Sequence, residues 1–360
     1  MPHPFPEAAV PLLLDWYRRH RRDLPWRENR DPYRVLVSEI MLQQTRAETV
    51  KPYFRRFLAT LPTVADLAGA DEAVLLKLWE GLGYYSRVRN LQKAARAVME
   101  KHGGVIPADF DALLSLPGVG RYTAGAVASI AFDIPVPAVD GNVLRVMARL
   151  IGDDTDILSP AAKKNAEAAL TPYVPSPGAG DFTQSLIELG ALVCVSGEPK
   201  CDACPLQLVC EARREGKQAD LPVRLAKTKR RVEERTVLVL RLCDEAGTVH
   251  IALRKRPSGG LLGGLYEFPC LEGHADEADV RSYLTAQGMT VKTVEKLPDA
   301  KHLFSHIEWR MIGYSVELTG VEPREGDGFF AAISELDERY AIPSAYAAYR
   351  GACFAPINQN

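Results

Sequence analysis

The sequence lacks any apolar run long enough to cross a membrane. Its longest charge-free apolar stretch near the middle of the chain runs from Tyr122 to Phe132, whereas a membrane-spanning helix needs about 20 such residues. The N-terminal residues also lack the basic leader, apolar core and small-residue cleavage site of a secretory signal. We therefore expect a cytoplasmic protein with no membrane partner.

The sequence also has almost no net charge. Its 44 basic and 46 acidic residues give a net charge of −2, which by itself favours no charged partner. Residues 271–360 contain 8 basic and 14 acidic residues, so the preceding part of the chain is mildly basic. Charged residues make up 25% of the chain and hydrophobic residues 47%, which argues against a disordered or fibrous protein. A length of 360 residues predicts two or three domains.

The hydrophobic pattern changes near residue 236. Between residues 7 and 230, apolar residues recur at intervals of three and four, which predicts helices. From residue 236 onward, runs such as TVLVLRL and RMIGYSVEL indicate strands. The charged segment from Ala212 to Glu234 indicates a linker. The sequence thus predicts a mainly α body followed by a smaller α+β domain.

Seven cysteines in a cytoplasmic protein do not indicate a disulfide framework. Four of them, Cys194, Cys201, Cys204 and Cys210, have the spacing C-x6-C-x2-C-x5-C. Such a set suits either a tetrahedral zinc ion or a [4Fe–4S] cluster. Zinc sites more often use two C-x2-C pairs, and only Cys201 and Cys204 form such a pair here. The spacing therefore favours a [4Fe–4S] cluster.

A glycine turn and a nearby aspartate are the candidate functional elements of the helical body. Gly118 and Gly120, in LPGVGRYTAGA, let a ligand approach the backbone and leave amide N–H groups free at a helix start. Such a turn can hold a phosphate through backbone amides, but it can equally be an ordinary interhelical loop. Asp140, in VDGNV, is either a helix cap or a catalytic carboxylate, and its position alone does not decide between them.

Several motifs in order resemble the MutY-type adenine DNA glycosylases, which belong to the helix-hairpin-helix, iron–sulfur DNA glycosylase superfamily. The motifs are LPWRENRDPYRVLVSEIMLQQTRAETV, GLGYYSRVRNL, LPGVGRYTAGA, VDGNV and the four cysteines, and they cover nearly all of residues 8–230. The C-terminal region is similar more loosely, through GGLYEFP and FSH. The resemblance implies a mainly α helix-hairpin-helix glycosylase fold, with a six-helix barrel lobe and an iron–sulfur lobe, followed by an α+β Nudix-like domain.

The resemblance also implies domain boundaries and a reaction. We expect a barrel lobe at residues 24–133, an iron–sulfur lobe at 134–226 that packs with an N-terminal helix in 1–23, a linker that ends over 227–235, and an 8-oxoguanine-recognition domain at 236–360. The implied reaction is hydrolysis of the N-glycosidic bond of adenine mispaired with 8-oxoguanine or guanine in duplex DNA, after the base has been flipped out. We expect a monomer, associated with the nucleoid if the source is bacterial. Protein partners such as a sliding clamp stay undetermined.

The resemblance assigns the chemistry to four residues. Glu39 is implied to be the general acid that protonates adenine at N7, a role that requires a raised pKa. Asp140 is implied to stabilise the oxocarbenium-like sugar, either electrostatically or as a transient nucleophile. Asn142 is implied to orient Asp140 or the attacking water. Tyr122 matches the active-site tyrosine of the family.

DNA contacts are implied in the same way. Trp26 and Arg27 match walls of the adenine pocket, and Glu188 matches a polar contact to the base. The residues that match positions wedged into the duplex around the oxidised guanine are Gln43, Gln44, Thr45 and Tyr84. The residues of the loop implied to face 8-oxoguanine are Phe304, Ser305 and His306, of which the serine can hydrogen-bond to the O8 acceptor and the N7–H donor of the lesion.

Three other functions are weaker interpretations. An endonuclease III-like pyrimidine glycosylase and AP lyase carries a Schiff-base lysine directly after the hairpin arginine, where this sequence has Tyr122. A Nudix pyrophosphatase needs clustered glutamates to hold magnesium, but the run from Glu272 to Gly288 offers Glu277 and Asp279 without an R-E-x-x-E-E pattern. A non-enzymatic iron–sulfur protein would not need Glu39 and Asp140 in these motifs. We therefore expect a monofunctional glycosylase.

Overall fold

The computed structural model describes residues 4–225, 229–322 and 328–356. The chain folds as two compact units, of which the first comprises residues 1–70 and 86–227 and the second residues 71–85 and 228–360. The sequence predicts residues 71–85 in the barrel lobe, whereas in the structure they belong to the unit that contains the C-terminal sheet. No helix within the described ranges has the length and apolar character needed to cross a bilayer.

The helices of the chain are short and lie mostly in the first unit. They are α1 (Ala9–His20), α2 (Pro32–Leu42), α3 (Ala47–Thr60), α4 (Val64–Gly69), α5 (Glu72–Leu78), α6 (Ser86–His102), α7 (Phe110–Leu114), α8 (Arg121–Phe132), α9 (Gly141–Leu150), α10 (Pro160–Leu170), α11 (Ala179–Leu192), α12 (Glu211–Arg214), α13 (Glu277–Ala286), α14 (Leu336–Arg339) and α15 (Ala347–Arg350). Short 3₁₀ turns include Pro25–Arg27 and Cys201–Ala203.

Local sequence determines where the helices that carry the site begin. Asp31 caps α2 by accepting a hydrogen bond from the backbone N–H of Arg34 at 2.8 Å. Asp140 caps α9 in the same way, from the N–H of Val143 at 2.7 Å. These bonds satisfy amide groups that a helix start leaves without an intrahelical partner. The side-chain caps therefore fix the first residue of each of these two helices.

Two glycines permit close approaches beside the site. Gly118 has φ +74, and a Cβ atom there would lie 2.5 Å from the Cβ of Asn90. Gly190 on α11 faces Asn142, whose Cβ would be 2.7 Å from an added methyl group. A side chain at either position would force the backbone apart. The two glycines thus determine how closely the hairpin turn and α11 approach their neighbours.

The core of the first unit joins α1 to the helices that follow the hairpin. Leu13 and Tyr17 of α1 are buried in one cluster with Val143 and Met147 of α9 and Phe182 of α11. Full burial of each such side chain stabilises the fold by about 1.5–3 kcal/mol. Because α1 packs against α11, the position of the residues that follow α1 is fixed relative to α11.

The second unit is built on a mixed seven-stranded sheet. Its strands are β1 (Arg231–Cys243), β2 (Val249–Lys255), β3 (Tyr266–Glu267), β4 (Cys270–Glu272), β5 (Met289–Leu303), β6 (Ile307–Val321) and β7 (Gly328–Ala332). The order is β3-β2-β1-β6-β5, while β4 pairs with β1 and β7 pairs with β2. β1 runs parallel to β6, and the other pairs are antiparallel.

Both faces of this sheet are covered. On one face, Val237 and Trp309 pack with Tyr346 and Tyr349 of the C-terminal helical turns. On the other face, Leu238 and Val316 pack against α13. Alternating residues of β1 therefore point to opposite cores, as the period of two in a strand requires. The change from helices to strands predicted near residue 236 is confirmed, with β1 beginning at Arg231.

Candidate active site

A large cleft in the first unit brings together the four residues assigned to catalysis. Glu39 reaches it from α2, Tyr122 from α8, and Asp140 and Asn142 from the start of α9. These positions span about a hundred residues of sequence. The grouping therefore comes from helix packing, and a concave site lined by titratable groups is where chemistry is expected.

Glu39 is a buried carboxyl group held by a neighbouring phenol. Its side chain is 5% exposed, and the Tyr122 hydroxyl donates a hydrogen bond to Oε2 at 2.5 Å. Burial raises the pKa of Glu39 to about 7, while the hydrogen bond from Tyr122 opposes that rise and the nearby Asp140 adds to it. Burial also raises the pKa of Tyr122 well above its usual range, so the phenol stays protonated.

Asp140 is a helix cap and a cleft residue at the same time. Its Oδ1 accepts from the N–H of Val143, and its Oδ2 accepts from the Asn142 side-chain amide at 2.8 Å. The Asn142 carbonyl oxygen in turn accepts from Arg145 at 2.9 Å. Burial raises the pKa of Asp140, and the hydrogen bonds from Val143 and Asn142 oppose this rise. Asp140 is therefore a helix cap that also lines the cleft, and its catalytic role stays a prediction.

The Arg27 wall of the cleft is held by a buried ion-pair network. Glu188 is fully buried, and its carboxylate accepts hydrogen bonds from Arg22 and Arg27 at 2.8–3.1 Å. Burial alone would raise the pKa of Glu188, but the bonds from the two arginines outweigh it and lower the pKa to about 2. Trp26 lines the cleft beside them, in edge contact with Phe54.

The polar side chains that α11 and the segment after α1 present to the cleft differ from those expected. The cleft is lined by Arg22 and Gln184, not by Glu188, whose carboxylate lies behind the two arginines. Gln184 accepts a hydrogen bond from Arg27 at 2.9 Å. Gln184 and Glu188 are four residues apart on α11 and share a face. That spacing is the only sequence signal that could have pointed to Gln184.

The segment after α2 is held by Arg87. Its guanidinium donates to the backbone carbonyls of Ile40 and Met41 at 3.0 and 2.9 Å and to the Thr45 hydroxyl at 3.3 Å. It thereby satisfies carbonyl groups that the helix end leaves unpaired. Gln44 is exposed, with a left-handed backbone (φ 57). A strained, exposed residue on a fixed helix end is suited to contact a ligand.

Gln43 and the hairpin glycines line the same cleft. The Gln43 amide donates to the Thr123 hydroxyl at 3.3 Å, which links the end of α2 to α8. Gly118 and Gly120 are lining residues, and Gly120 immediately precedes α8. The structure therefore brings the hairpin turn and the end of α2 to one opening, Thr45 included.

The remaining expected DNA contacts lie in the second unit. Ser305 and His306 are exposed, whereas Phe304 is half-buried and packs on Trp309, with ring centroids 4.8 Å apart. The Ser305 hydroxyl lies 2.8 Å from that of Tyr84. Two residues expected to act near the lesion are thus in contact, although 221 positions separate them.

The four cysteines surround one pocket next to α9. Cys194, Cys201, Cys204 and Cys210 line it together with Arg149, which donates to the Cys194 sulfur at 3.4 Å. In the described ranges, no three His, Cys, Asp or Glu side chains converge closely enough to hold a single metal ion. In a [4Fe–4S] cluster, each thiolate binds a different iron atom. Burial raises the pKa of Cys204 to about 12, so a bound metal would have to stabilise the thiolate.

Two known protein families match the two parts of the chain. Residues 37–175 match the HhH-GPD superfamily of base excision DNA repair proteins, and residues 236–350 match the NUDIX domain. Together with the helical first unit and the mixed sheet of the second, these matches confirm the predicted fold class.

Solved structures resemble the chain over rather more than half its length. A thermostable thymine-DNA glycosylase aligns with 58% of this chain and 96% of its own, at 31% identity and a TM-score of 0.53. A trapped endonuclease III–DNA covalent intermediate aligns with 59% of this chain and 98% of its own, at 26% identity and a TM-score of 0.50.

Curated relatives match most of the chain. The adenine DNA glycosylase of Rattus norvegicus is 35% identical over 86% of this chain and 70% of its own. That of Schizosaccharomyces pombe is 32% identical over 90% of this chain and 85% of its own. That of Buchnera aphidicola subsp. Acyrthosiphon pisum is 33% identical over 82% of each chain. The chain belongs to the adenine DNA glycosylase family.

Proposed function

We propose that the protein hydrolyses the N-glycosidic bond of adenine mispaired with 8-oxoguanine, or with guanine, in duplex DNA. The observation that carries the proposal is a buried carboxyl, Glu39, that shares a cleft with the capped carboxylate Asp140. Cleavage of this bond requires a proton on the leaving base and negative charge beside the oxocarbenium-like sugar. Two carboxyl groups in different environments can supply both.

Glu39 is the proton donor in this proposal. With a pKa of about 7, roughly half of the Glu39 carboxyl groups are protonated at neutral pH, which is where a general acid is most effective. Tyr122 holds one carboxyl oxygen through its hydroxyl, so the other oxygen is left to face N7 of adenine. The side chain at this position is a phenol rather than an amine, which supports hydrolysis over Schiff-base lyase chemistry.

Asp140 is the sugar-side carboxylate. Its two oxygens accept from Val143 and Asn142, and hydrogen bonds of this kind favour the ionised form. A fixed carboxylate stabilises the positive charge of the sugar electrostatically and can form a transient bond to C1′. Asn142 fixes the carboxylate orientation, supported by Arg145.

The remaining cleft residues bind the flipped adenine and the duplex. Trp26 and Arg27 form a wall of the pocket, and Arg22 and Gln184 add hydrogen-bonding groups that the base edge can use. Glu188 lies behind them and holds both arginines in place through ion pairs. The residues that enter the duplex beside the orphaned guanine are Gln43, Gln44, Thr45 and Tyr84. Gly118 and Gly120 hold a phosphate through backbone amides.

The four cysteines hold a [4Fe–4S] cluster in this proposal. They form a Cys₄ donor set around one pocket, and Arg149 donates to one of the sulfurs. The bound cluster would fold the loop from Cys194 to Cys210 and fix its position beside α9. None of the seven cysteines forms a disulfide, which supports a reducing compartment such as the cytoplasm.

The second unit recognises the lesion rather than hydrolysing a nucleotide. Two carboxylates that follow the GGLYEFP segment, Glu277 and Asp279, form other contacts. Asp279 accepts from the backbone N–H of Asp276 in a capping box, and Glu277 pairs with Arg281 at 2.9 Å. The exposed Ser305 can both donate and accept a hydrogen bond, as reading O8 and N7–H requires. We also infer that the protein acts as a monomer.

Replacing Glu39 with Gln should lower the single-turnover excision rate on 8-oxoguanine:adenine duplexes by roughly 100-fold or more, because a general acid contributes about that much. The wild-type rate should fall as the pH rises through about 7, since only protonated Glu39 donates. Because the pKa of Glu39 rises from 4.5 to about 7 on folding, wild-type stability should decline as the pH rises from about 4.5 to about 7, a loss that Glu39→Gln should not share. Glu28→Gln, at an exposed ion pair with Arg34, is the matched control. Wild-type turnover by Glu39→Gln would refute the assignment.

Replacing Tyr122 with Phe should shift the pH dependence of excision to higher pH. The hydrogen bond from Tyr122 lowers the pKa of Glu39, so its removal leaves burial less opposed and Glu39 keeps its proton to higher pH. The single-turnover rate measured from pH 5 to about pH 9 tests this. Tyr173→Phe, outside the cleft, should keep the wild-type profile. A Tyr122→Phe profile that stays in place or moves to lower pH would contradict the proposed coupling.

The purified protein should contain about four iron atoms per chain and absorb broadly near about 400 nm, as thiolate-bound clusters do. Cys201→Ser should lower the iron content and the thermal unfolding temperature, because metal binding stabilises the folded loop. Cys243→Ser removes an exposed cysteine outside the pocket and should change neither. Stoichiometric zinc without iron after anaerobic purification would show that the cluster assignment is wrong.

Replacing Ser305 with Ala should lower the preference for 8-oxoguanine:adenine over guanine:adenine, measured as the ratio of single-turnover rates. A recognition contact of about 1–3 kcal/mol corresponds to a loss of roughly five- to a hundredfold. Phe304→Ala should weaken preference by loosening the loop, because its ring packs on Trp309. Ser282→Ala, exposed on α13, is the control. An unchanged ratio in Ser305→Ala would remove this serine from lesion recognition.

A further inference from the structure

Residues 71–85, here named the tyrosine segment, connect the lesion-facing loop to a second part of the C-terminal unit. The segment consists of α5 and the turn that follows it, and it belongs to the same compact unit as the C-terminal sheet. Near its end, the Tyr84 hydroxyl meets the Ser305 hydroxyl at 2.8 Å. Tyr84 is 46% exposed, so part of its ring can meet a ligand while its hydroxyl contacts the loop.

Glu80 joins the tyrosine segment to the chain near residues 340–350. Its Oε1 accepts from the backbone N–H of Ile342 at 2.9 Å and from the Arg350 guanidinium at 3.3 Å. Its Oε2 accepts from the Lys77 ammonium at 2.6 Å, and that ammonium also donates to the Tyr340 carbonyl at 3.3 Å. The Glu80 side chain is only 17% exposed, so these charge-assisted bonds are partly shielded from water.

The turn between Glu80 and Tyr84 couples the contacts of Glu80 to the position of Tyr84. Gly81 and Gly83 have φ values of 96 and 70, and Tyr84 itself has φ 48. The Trp79 indole N–H donates to the Gly83 carbonyl at 3.1 Å, and the Gly81 N–H donates to the Tyr85 hydroxyl at 3.3 Å. A turn closed by these bonds has few other conformations, and a non-glycine residue in the left-handed region persists only where its surroundings hold it.

We propose that Glu80 is a positioning residue for lesion recognition, which holds Tyr84 against Ser305 by fastening the tyrosine segment to Ile342 and Arg350. This inference rests on the proposed function of the Ser305 loop. Glu80 does not line the catalytic cleft, and its partners include a backbone amide and two cations of the second unit. Its contribution should therefore affect discrimination between mispairs and leave the chemistry of the cleft intact.

The test compares Glu80→Ala with Asp337→Asn, which removes charge from an exposed carboxylate that also pairs with Arg350. Single-turnover rates are measured on 8-oxoguanine:adenine and on guanine:adenine duplexes with the full chain. Glu80→Ala should lower the ratio of the two rates by roughly fivefold or more, within the range of one recognition contact, and leave the guanine:adenine rate within about twofold of wild type. Asp337→Asn should keep the wild-type ratio.

A double-mutant cycle identifies the route of the effect. If Glu80 acts through the Tyr84–Ser305 contact, Glu80→Ala should cause no further loss in a Ser305→Ala background. Losses that multiply, or an equal fall of both rates in Glu80→Ala, would overturn the inference. Glu80→Gln keeps an acceptor for the Ile342 N–H and preserves the side-chain volume, so it serves if Glu80→Ala fails to fold. It should show a smaller loss in the same direction, and an unchanged ratio in Glu80→Gln would then refute the inference.

The outcomes also separate this inference from the proposed function. If Ser305→Ala lowers the ratio and Glu80→Ala does not, the positioning role is wrong while the recognition role of the loop stands. If neither single variant changes the ratio, both are wrong.

Discussion

The proposed chemistry depends on a buried carboxyl group, Glu39, that forms no ion pair within the described residues. Glu39 and Glu188 are both glutamates shielded from water, yet burial raises the pKa of Glu39 to about 7, while two arginines lower that of Glu188 to about 2. A protonated Glu39 can give up a proton to a base, and an ionised Glu188 can hold guanidinium groups in place. Arg22 and Arg27 hydrogen-bond directly to Glu188 and not to Glu39, and this difference separates the proposed proton donor from a supporting carboxylate.

Helix α9 connects Asp140, the proposed sugar-side carboxylate, to the cysteine pocket. Asp140 caps its first turn, and Arg149 near its end reaches the Cys194 sulfur and the Val195 carbonyl. Arg145 between them donates to the Cys194 carbonyl and to Asn142. Because a helix is stiff over about ten residues, the loop that carries the cysteines and the Asp140 carboxylate share one rigid support. A cluster bound in that pocket would stabilise the helix that positions Asp140.

The loop proposed to face the lesion is built on the core of the second unit. Phe304 packs on Trp309, which is fully buried, stacks under Arg235 at 4.1 Å and donates its indole N–H to Glu233 at 2.9 Å. The Arg230 side chain donates to the Phe304 carbonyl at 2.8 Å. An exposed serine at the tip of a loop is thereby held by aromatic packing beneath it, which limits the conformational entropy it loses on binding.

Features that depend on neighbouring residues can be predicted from the sequence of this protein, whereas features that depend on tertiary contacts cannot. The period of apolar residues distinguishes the helical body from the sheet near residue 236, and Gly118 marks a tight turn, because each property belongs to a few consecutive residues. Four closely spaced cysteines predict a metal cluster in the same way. The motifs select Glu39 and Asp140 as candidates, but the pKa of Glu39 arises from burial and from Tyr122, 83 positions away. The choice of Gln184 rather than Glu188 as a cleft residue, and the contacts of Tyr84 with Ser305 and of Glu80 with Ile342, were decided by tertiary packing. Such contacts depend on which faces of distant elements meet, and no local pattern encodes that.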